Sequence, residues 1–178
     1  FAGTQNAAWV EGDKLQHAIG QSVNEFTPMQ LCVYVSALAN EGVRMKATFL
    51  RRVVSWDFQE LLLESKPEVV ADLELGSETL AMLKEGMVAA TQLGATAEPF
   101  SQEFYPIKVA AKTGTAQHGN GLTSDNASLV CYAPADDPEI AIAIYVENGA
   151  VGGKLAYIAM DIMDNYFSQT GKYETVYG

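Results

Sequence analysis

The chain has 178 residues, which is enough for one domain with a proper core or for a large piece of a bigger one. Hydrophobic residues make up 48% of it, as in folded globular proteins. The net charge of −11 argues against nucleic-acid binding and against an anionic membrane surface, since both need basic patches.

The beginning of the sequence does not resemble a natural start. No Met precedes the first residues, no signal peptide opens the chain, and no apolar run approaches the roughly 18 residues of a membrane span. We therefore expect the sequence to begin in the middle of a longer polypeptide.

The clearest predicted helix lies in the stretch EFTPMQLCVYVSALANEGV. Thr27 is a good N-cap, Pro28 suits the first turn, and Gln30 completes a capping box. Gly42 marks the end of the helix. Because nearly every position between is apolar or small, we expect this helix to be buried on most sides.

The next segment, residues 47–75, reads as short strands and turns built on TFLRRVVSW and EVVADLEL. A second helix follows, with Ser77 as its predicted N-cap. Its apolar face consists of Leu80, Leu83 and Met87. Gly94 and Pro99 then open a loop.

Three strands are predicted in the second half, at residues 107–116, 127–133 and 139–146, followed by a helix over 152–167. Short connections between the strands favour an antiparallel meander. The last strand is apolar on both faces, which predicts a covered, interior strand. The helix carries an apolar stripe that we expect to pack on the sheet, made of Leu155, Ile158, Ala159, Ile162, Met163 and Tyr166. The predicted class is α+β, an antiparallel sheet covered by helices.

The stretch KVAAKTGTAQHG, residues 108–119, carries polar groups directly after an apolar run. Thr113 and Thr115 point to one face of a strand and Lys112 to the other, while Gly114 leaves the backbone open to close approach. One interpretation is an edge strand protected by a charge. The other is an anion-binding strand, whose cation, hydroxyls and N–H groups bind a carboxylate.

The cysteines and histidines indicate no metal site. Cys32 and Cys131 lie in separate apolar runs, where two buried free thiols are favoured over a disulfide. His17 and His118 lack the spacing of metal ligands. We expect neither a metal nor a cofactor.

Three motifs are set aside. The stretch GAVGGKL, residues 149–155, is one residue too short for a phosphate-binding loop and lacks the Ser or Thr after Lys154, so it reads as the turn before the last helix. Asn126-Ala127-Ser128 is a glycosylation sequon of weak specificity. No G-x-S-x-G occurs, so an esterase-type nucleophile elbow is absent from the sequence.

The stretch AAKTGTAQ resembles the third active-site motif of penicillin-binding proteins and serine β-lactamases. The resemblance extends in the right order over nearly the whole chain, to AIGQSVNEFTPMQLCVYVSALANEG, LKEGMVAATQLGATA, YAPADDPEIAIAIYVENG and the last helix. The sequence is most similar to the class B penicillin-binding proteins, which are monofunctional transpeptidases. The implied fold places a helical subdomain beside an antiparallel sheet, with the active site in the cleft between them.

The resemblance implies roles for five residues. Lys112 would supply positive potential for the substrate carboxylate and for proton transfer. Thr113 and Thr115 would offer hydroxyls to that carboxylate, and the Thr115 N–H would be one oxyanion-hole donor. Gly114 would let the substrate lie against the strand, and Gln117 would line the cleft or serve the structure.

The sequence also departs from the family pattern. No serine has Lys three positions later, so the nucleophile motif S-x-x-K is absent. Ser124-Asp125-Asn126 spells the second motif, S-x-N, but follows Lys112, and we interpret it as coincidence. Many relatives have an aromatic residue where Ser128 and Leu129 fall. We therefore expect residues 1–178 to be the C-terminal portion of one transpeptidase domain, inactive alone.

The implied function is part of a peptidoglycan D,D-transpeptidase that cross-links stem peptides by serine acyl transfer and binds penicillin. The implied partners are the D-Ala-D-Ala end of the stem peptide, β-lactam antibiotics and other cell-wall synthesis proteins, at the extracytoplasmic face of the membrane. The alternatives are a relative of serine β-lactamases or D,D-carboxypeptidases, and a non-catalytic binding module of a wall-synthesis complex.

Overall fold

The computed structural model describes residues 11–18, 20, 26–116 and 124–171. Four helices lie in this part of the chain: α1 (Glu11–Ala18), α2 (Pro28–Ala39), α3 (Ser77–Ala89) and α4 (Leu155–Thr170). The strands are β1 (Val43–Met45), β2 (Arg52–Val54), β3 (Leu61–Glu64), β4 (Val69–Asp72), β5 (Ala110–Ala116), β6 (Asn126–Ala133) and β7 (Ile140–Val146). Short 3₁₀ turns occupy Glu98–Phe100 and Gly152–Lys154.

The central sheet is the predicted antiparallel meander. Its order is β5-β6-β7, with Gly114 opposite Ser128 and Ser128 opposite Tyr145. Two small antiparallel pairs, β1 with β4 and β2 with β3, lie outside it. The sequence predicted β2 and β4, whereas β1 and β3 were missed. The α+β class is confirmed.

Helices cover both faces of the central sheet. On one face, Ala111 and Leu129 belong to a buried cluster that includes Ala159, Met163 and Phe167 of α4. On the other face, Ala110 and Tyr132 pack with Val35 of α2, and α3 adds Met87 and Val88. The core therefore lies in two layers, one on each side of β5 and β6.

The prediction for α2 is confirmed at its ends. Thr27 Oγ1 accepts from the Gln30 N–H at 3.2 Å, and Gln30 Oε1 accepts from the Thr27 N–H at 2.8 Å. After the helix, Gly42 has φ +90° and donates its N–H to Ala37 O at 2.8 Å. Such left-handed geometry suits glycine and ends the helix.

The predicted burial of α2 on most sides was wrong. Val35 and Ala37 are buried, but Met29 is 43% and Tyr34 55% exposed. Together with the β1–β4 pair, the exposed side of α2 forms an open apolar groove of about 720 Å³, lined by Phe26, Met29, Tyr34, Met45, Val70 and Leu73 among others. Apolar composition alone did not distinguish packing against one layer from packing on all sides.

Two details of the other helices also differ from the predictions. The N-cap of α3 is Gly76, one residue before the predicted Ser77, and it makes no side-chain capping bond. In α4, Ile158 is 46% and Ile162 42% exposed, whereas Phe167 is fully buried. The packed face of α4 is thus rotated towards Ala156 and Phe167, both of which belong to the buried cluster on the sheet.

The predicted interior position of β7 differs as well. In the described part of the chain β7 ends the sheet, with no strand on its outer side, and Tyr145 is 42% exposed. Apolar residues on both sides of a strand report coverage of the two faces, and they carry no information about the edge.

Candidate active site

The strand β5 begins in the core and ends at the surface. Val109, Ala110 and Ala111 have no exposed area, whereas Lys112 and Thr115 are exposed and Thr113 and Gly114 are half-buried. A buried apolar anchor thus holds a polar strand end in place, as the sequence predicted.

Contacts with neighbouring segments hold the residues directly before β5. The buried Thr91 Oγ1 donates to Val109 O at 3.3 Å, which connects the end of α3 to the strand. The Ala135 N–H donates to Lys108 O at 2.7 Å. Lys108 and Lys84 both pair with Asp136, at 3.0 and 2.9 Å. Their hydrogen bonds, that of Lys84 foremost, lower the pKa of the Asp136 carboxyl.

The two faces of β5 carry different groups. Lys112 and Gly114 alternate with Thr113 and Thr115, so Lys112 shares its face with Ala110 and looks towards the α2–α3 layer. The two threonines share the α4 face with Ala111.

The outer edge of β5 has no partner strand in the residues that the structure describes. Lys112 Nζ donates to the carbonyl oxygen of Thr113 at 2.6 Å. Backbone groups of residues two apart point to the same edge of a strand, so the Thr115 N–H lies on the same edge as the Thr113 carbonyl. An ammonium, two hydroxyls and a backbone N–H therefore lie along four consecutive residues.

Glycine packs closely at two places, one in this strand and one beside it. Ser128 Oγ occupies the space that a Cβ on Gly114 would take. On the other side of the sheet, a Cβ on Gly152 would lie 2.5 Å from Gly114 O and 2.6 Å from Ser128 O. Gly152 therefore packs directly on the backbone beneath Gly114.

Sequence reasoning missed the roles of Gly152 and Ser128 in this arrangement. The stretch that contains Gly152 was correctly predicted as the turn before α4, but its residue types did not indicate contact with β5. Ser128 was noted as a departure from an aromatic position that affects the local shape of the cleft floor, with no contact to Gly114 expected. Pairing register, which places Ser128 opposite Gly114, is the information that was lacking.

Gln117 and His118 lie outside the described residues. Both cysteines are free, with Cys131 buried and Cys32 half-buried, and burial raises the pKa of each thiol. In the described ranges no group of three or more His, Cys, Asp or Glu side chains could hold a metal ion. Nor does any helix there have the length and apolarity needed to cross a membrane.

The chain matches the family described as penicillin binding protein transpeptidase domain over residues 1–164. It is 32% identical to penicillin-binding protein 2A of Bacillus subtilis (strain 168), over 97% of this chain and 26% of that protein. It is 30% identical to the peptidoglycan D,D-transpeptidase MrdA of Acinetobacter baumannii, over 90% of this chain and 25% of that protein. The chain thus spans about a quarter of the length of these curated relatives.

Solved structures give the same result. Penicillin-binding protein 2B from Streptococcus pneumoniae (strain R6) superposes with a TM-score of 0.80 at 26% identity, over 94% of this chain and 28% of that one. The penicillin G acyl-enzyme complex of penicillin-binding protein A from Mycobacterium tuberculosis has a TM-score of 0.70 at 27% identity, over 85% and 34%. The resemblance inferred from the sequence is confirmed, and the chain belongs to the transpeptidase-domain family of penicillin-binding proteins.

Proposed function

We propose that residues 1–178 form the C-terminal portion of a single transpeptidase domain, and that β5 is the anion-binding strand of a peptidoglycan D,D-transpeptidase. The observation that carries the proposal is the outer edge of β5, which pairs with no strand in the described part of the chain and along which Lys112, Thr113, Gly114 and Thr115 follow one another. A strand edge with a cation and free donors suits an extended peptide that ends in a carboxylate.

In this proposal each residue of the strand has a separate task. The Lys112 ammonium attracts the carboxylate of the incoming peptide and assists proton transfer. Its bond to the Thr113 carbonyl supports this task, because it keeps the charge at the strand edge before a ligand arrives. The hydroxyls of Thr113 and Thr115 bind the carboxylate, and the Thr115 N–H stabilises the oxyanion of the tetrahedral intermediate.

Gly114 and Gln117 complete the proposed site. Without a side chain, Gly114 allows the peptide to lie against the strand. Gln117 follows β5 in sequence, and we propose that it lines the cleft. Its contribution rests on the sequence resemblance alone.

The nucleophile would come from a serine in an S-x-x-K motif outside these 178 residues. Its oxygen bonds to the carbonyl carbon of the penultimate D-Ala, and the peptide bond to the terminal D-Ala breaks, with a proton passing to the leaving amine. An amine from a neighbouring stem peptide then attacks the ester and releases the serine. A β-lactam forms the same ester when its ring amide opens.

The setting of this reaction follows from the substrate. Stem peptides lie outside the cytoplasmic membrane, so we propose an extracytoplasmic location for the complete protein. Relatives whose names are peptidoglycan D,D-transpeptidase support the wall-synthesis assignment. Other wall-synthesis proteins are proposed as its partners.

Labelling with a fluorescent penicillin tests the proposal. The protein encoded by the complete open reading frame should form a covalent adduct that survives denaturing electrophoresis, and the 178-residue polypeptide alone should form none. Circular dichroism checks that the shorter polypeptide is folded. Stoichiometric labelling of the short polypeptide would show that the nucleophile lies within it, and failure of the complete protein to label would refute the assigned activity.

A further inference from the structure

Three residues form a row across the central sheet on the face that carries Lys112. Gly114 lies opposite Ser128, and Ser128 lies opposite Tyr145, each pair in direct register. Directly opposed residues in adjacent strands present their side chains to the same face. The row therefore consists of a position without a side chain, a hydroxyl and a phenol, with Lys112 two residues before Gly114.

Among the residues that the structure describes, helices cover this face only at its other end. The buried cluster formed with α2 and α3 contains Ala110 and Tyr132, which oppose each other. Gly114 is four residues further along β5, roughly 13 Å away at about 3.3 Å per residue. Here Lys112 and Tyr145 are exposed and Ser128 is half-buried. In the described part of the chain the row is thus accessible from the face to which Lys112 points.

The Ser128 hydroxyl leans over Gly114. It occupies the space of the missing Gly114 side chain, while Gly152 packs against the backbone of the same two residues from the α4 face. A serine hydroxyl can both donate and accept a hydrogen bond.

We propose that Gly114, Ser128 and Tyr145 form the floor of a polar subsite beside Lys112, and that Ser128 determines which ligands bind there. Its hydroxyl donates a hydrogen bond to a carbonyl oxygen of the acyl donor lying across β5. The positive charge of Lys112 favours an oxygen rich in electrons at this position. This inference rests on the proposed function, because it assigns a further binding residue to that site.

The matched pair Ser128→Thr and Ser128→Val tests the hydroxyl in the complete protein. Threonine and valine have nearly the same shape, so the two variants differ chiefly in the hydroxyl group. The measurement is the dissociation constant of the complex that precedes acylation by a fluorescent penicillin, together with the rate constant of acylation. One neutral hydrogen bond corresponds to a roughly three- to tenfold weaker complex for Ser128→Val than for Ser128→Thr.

Controls separate binding from folding. Ser128→Ala removes the hydroxyl without added bulk and should resemble Ser128→Val if the β-branched variants fold. Ser168→Ala, an exposed serine of α4 whose hydroxyl bonds Asn165 O, should leave the dissociation constant unchanged. The thermal midpoint of each variant, read by circular dichroism, confirms that it is folded.

The outcomes distinguish the two proposals. If the parent labels but Ser128→Thr and Ser128→Val bind equally and Ser128→Ala matches the parent, the subsite is wrong while the transpeptidase assignment stands. If the parent itself does not label, the proposed function fails and the subsite with it. A difference confined to the dissociation constant supports Ser128 as a ligand contact.

Discussion

Tyr105 donates a buried hydrogen bond to Asp164 Oδ1 at 2.9 Å, which joins the segment before β5 to the middle of α4. Tyr105 is fully buried and Asp164 is 7% exposed. In the described residues the second oxygen, Asp164 Oδ2, has no hydrogen-bond partner. Within the described residues, the Tyr105 hydroxyl thus supplies the hydrogen bond that the buried Asp164 carboxyl receives.

Tyr105→Phe should destabilise the protein by about 1–3 kcal/mol, because it leaves the buried carboxyl without its donor. The ring, which packs near Phe100, is kept. Urea unfolding followed by circular dichroism measures the loss, and Tyr157→Phe at an exposed position of α4 serves as the control. Equal midpoints for the parent and Tyr105→Phe would mean that the bond contributes nothing.

The same tyrosine predicts a loss of stability at alkaline pH. Burial, followed by the bond to Asp164, raises the pKa of Tyr105 far above its usual range. A group with a raised pKa in the folded state stabilises it fully below its unfolded pKa, here about 10, and progressively less above that pH. Stability should therefore fall above about pH 10, and Tyr105→Phe should flatten that fall. An unchanged slope in the variant would contradict this.

Lys112→Ala in the complete protein should slow acylation by penicillin about 10²–10³-fold, the usual cost of losing a preorganised charge or donor. Thr115→Val should slow acylation less, since the backbone N–H of residue 115 remains. Lys154→Ala is a matched control on another exposed lysine, in the turn before α4. Gel fluorescence over time gives the rates, and a folded Lys112→Ala that labels like the parent would refute the role of this lysine.

Gly152→Ala and Gly86→Ala should change stability in opposite directions. At Gly152 an added methyl meets backbone atoms of Gly114 and Ser128, so overpacking should cost about 1–3 kcal/mol. At Gly86, inside α3, nothing lies within 4 Å of an added Cβ, and alanine should stabilise the helix by about 0.5–1 kcal/mol. Thermal midpoints test both, and a Gly152→Ala protein as stable as the parent would show that the turn can move away.

The 178-residue polypeptide expressed alone should self-associate through β7. In the described residues its outer edge pairs with no strand, and open edges pair with other chains. Light scattering over a range of concentrations measures the association, which Tyr145→Lys should reduce by placing a charge on the strand. A monomer at every concentration would count against this interpretation.

Local signals in the sequence were sufficient for much of the fold. The capping box at Thr27 and the short connections between β5, β6 and β7 depend on neighbours within a few residues, and both were confirmed. The exposed side of α2 and the rotated face of α4 depend on how much surface a partner layer covers. The spacing of apolar residues along a helix does not report how much surface its partner covers. The exposure of Tyr34 and Ile158 was therefore predicted wrongly.

The candidate site likewise combines residues that are adjacent in sequence with residues that only the fold brings together. Lys112, Thr113, Gly114 and Thr115 are contiguous, so their residue types and spacing were visible in the sequence. Ser128 and Gly152 reach Gly114 through strand pairing and through the turn before α4, over separations of 14 and 38 residues. Such contacts depend on how distant segments pair and pack, and a single sequence does not show that arrangement.

The packing of Gly152 against β5 and β6 also restricts how this site can evolve. Any side chain at residue 152 strikes main-chain atoms, which cannot rotate away as a neighbouring side chain could. Mutations that reshape β5 from the α4 face should therefore destabilise the fold from the first step. With the function proposed for this chain, selection by a β-lactam should favour variation on the opposite face, at positions such as Ser128 and Tyr145.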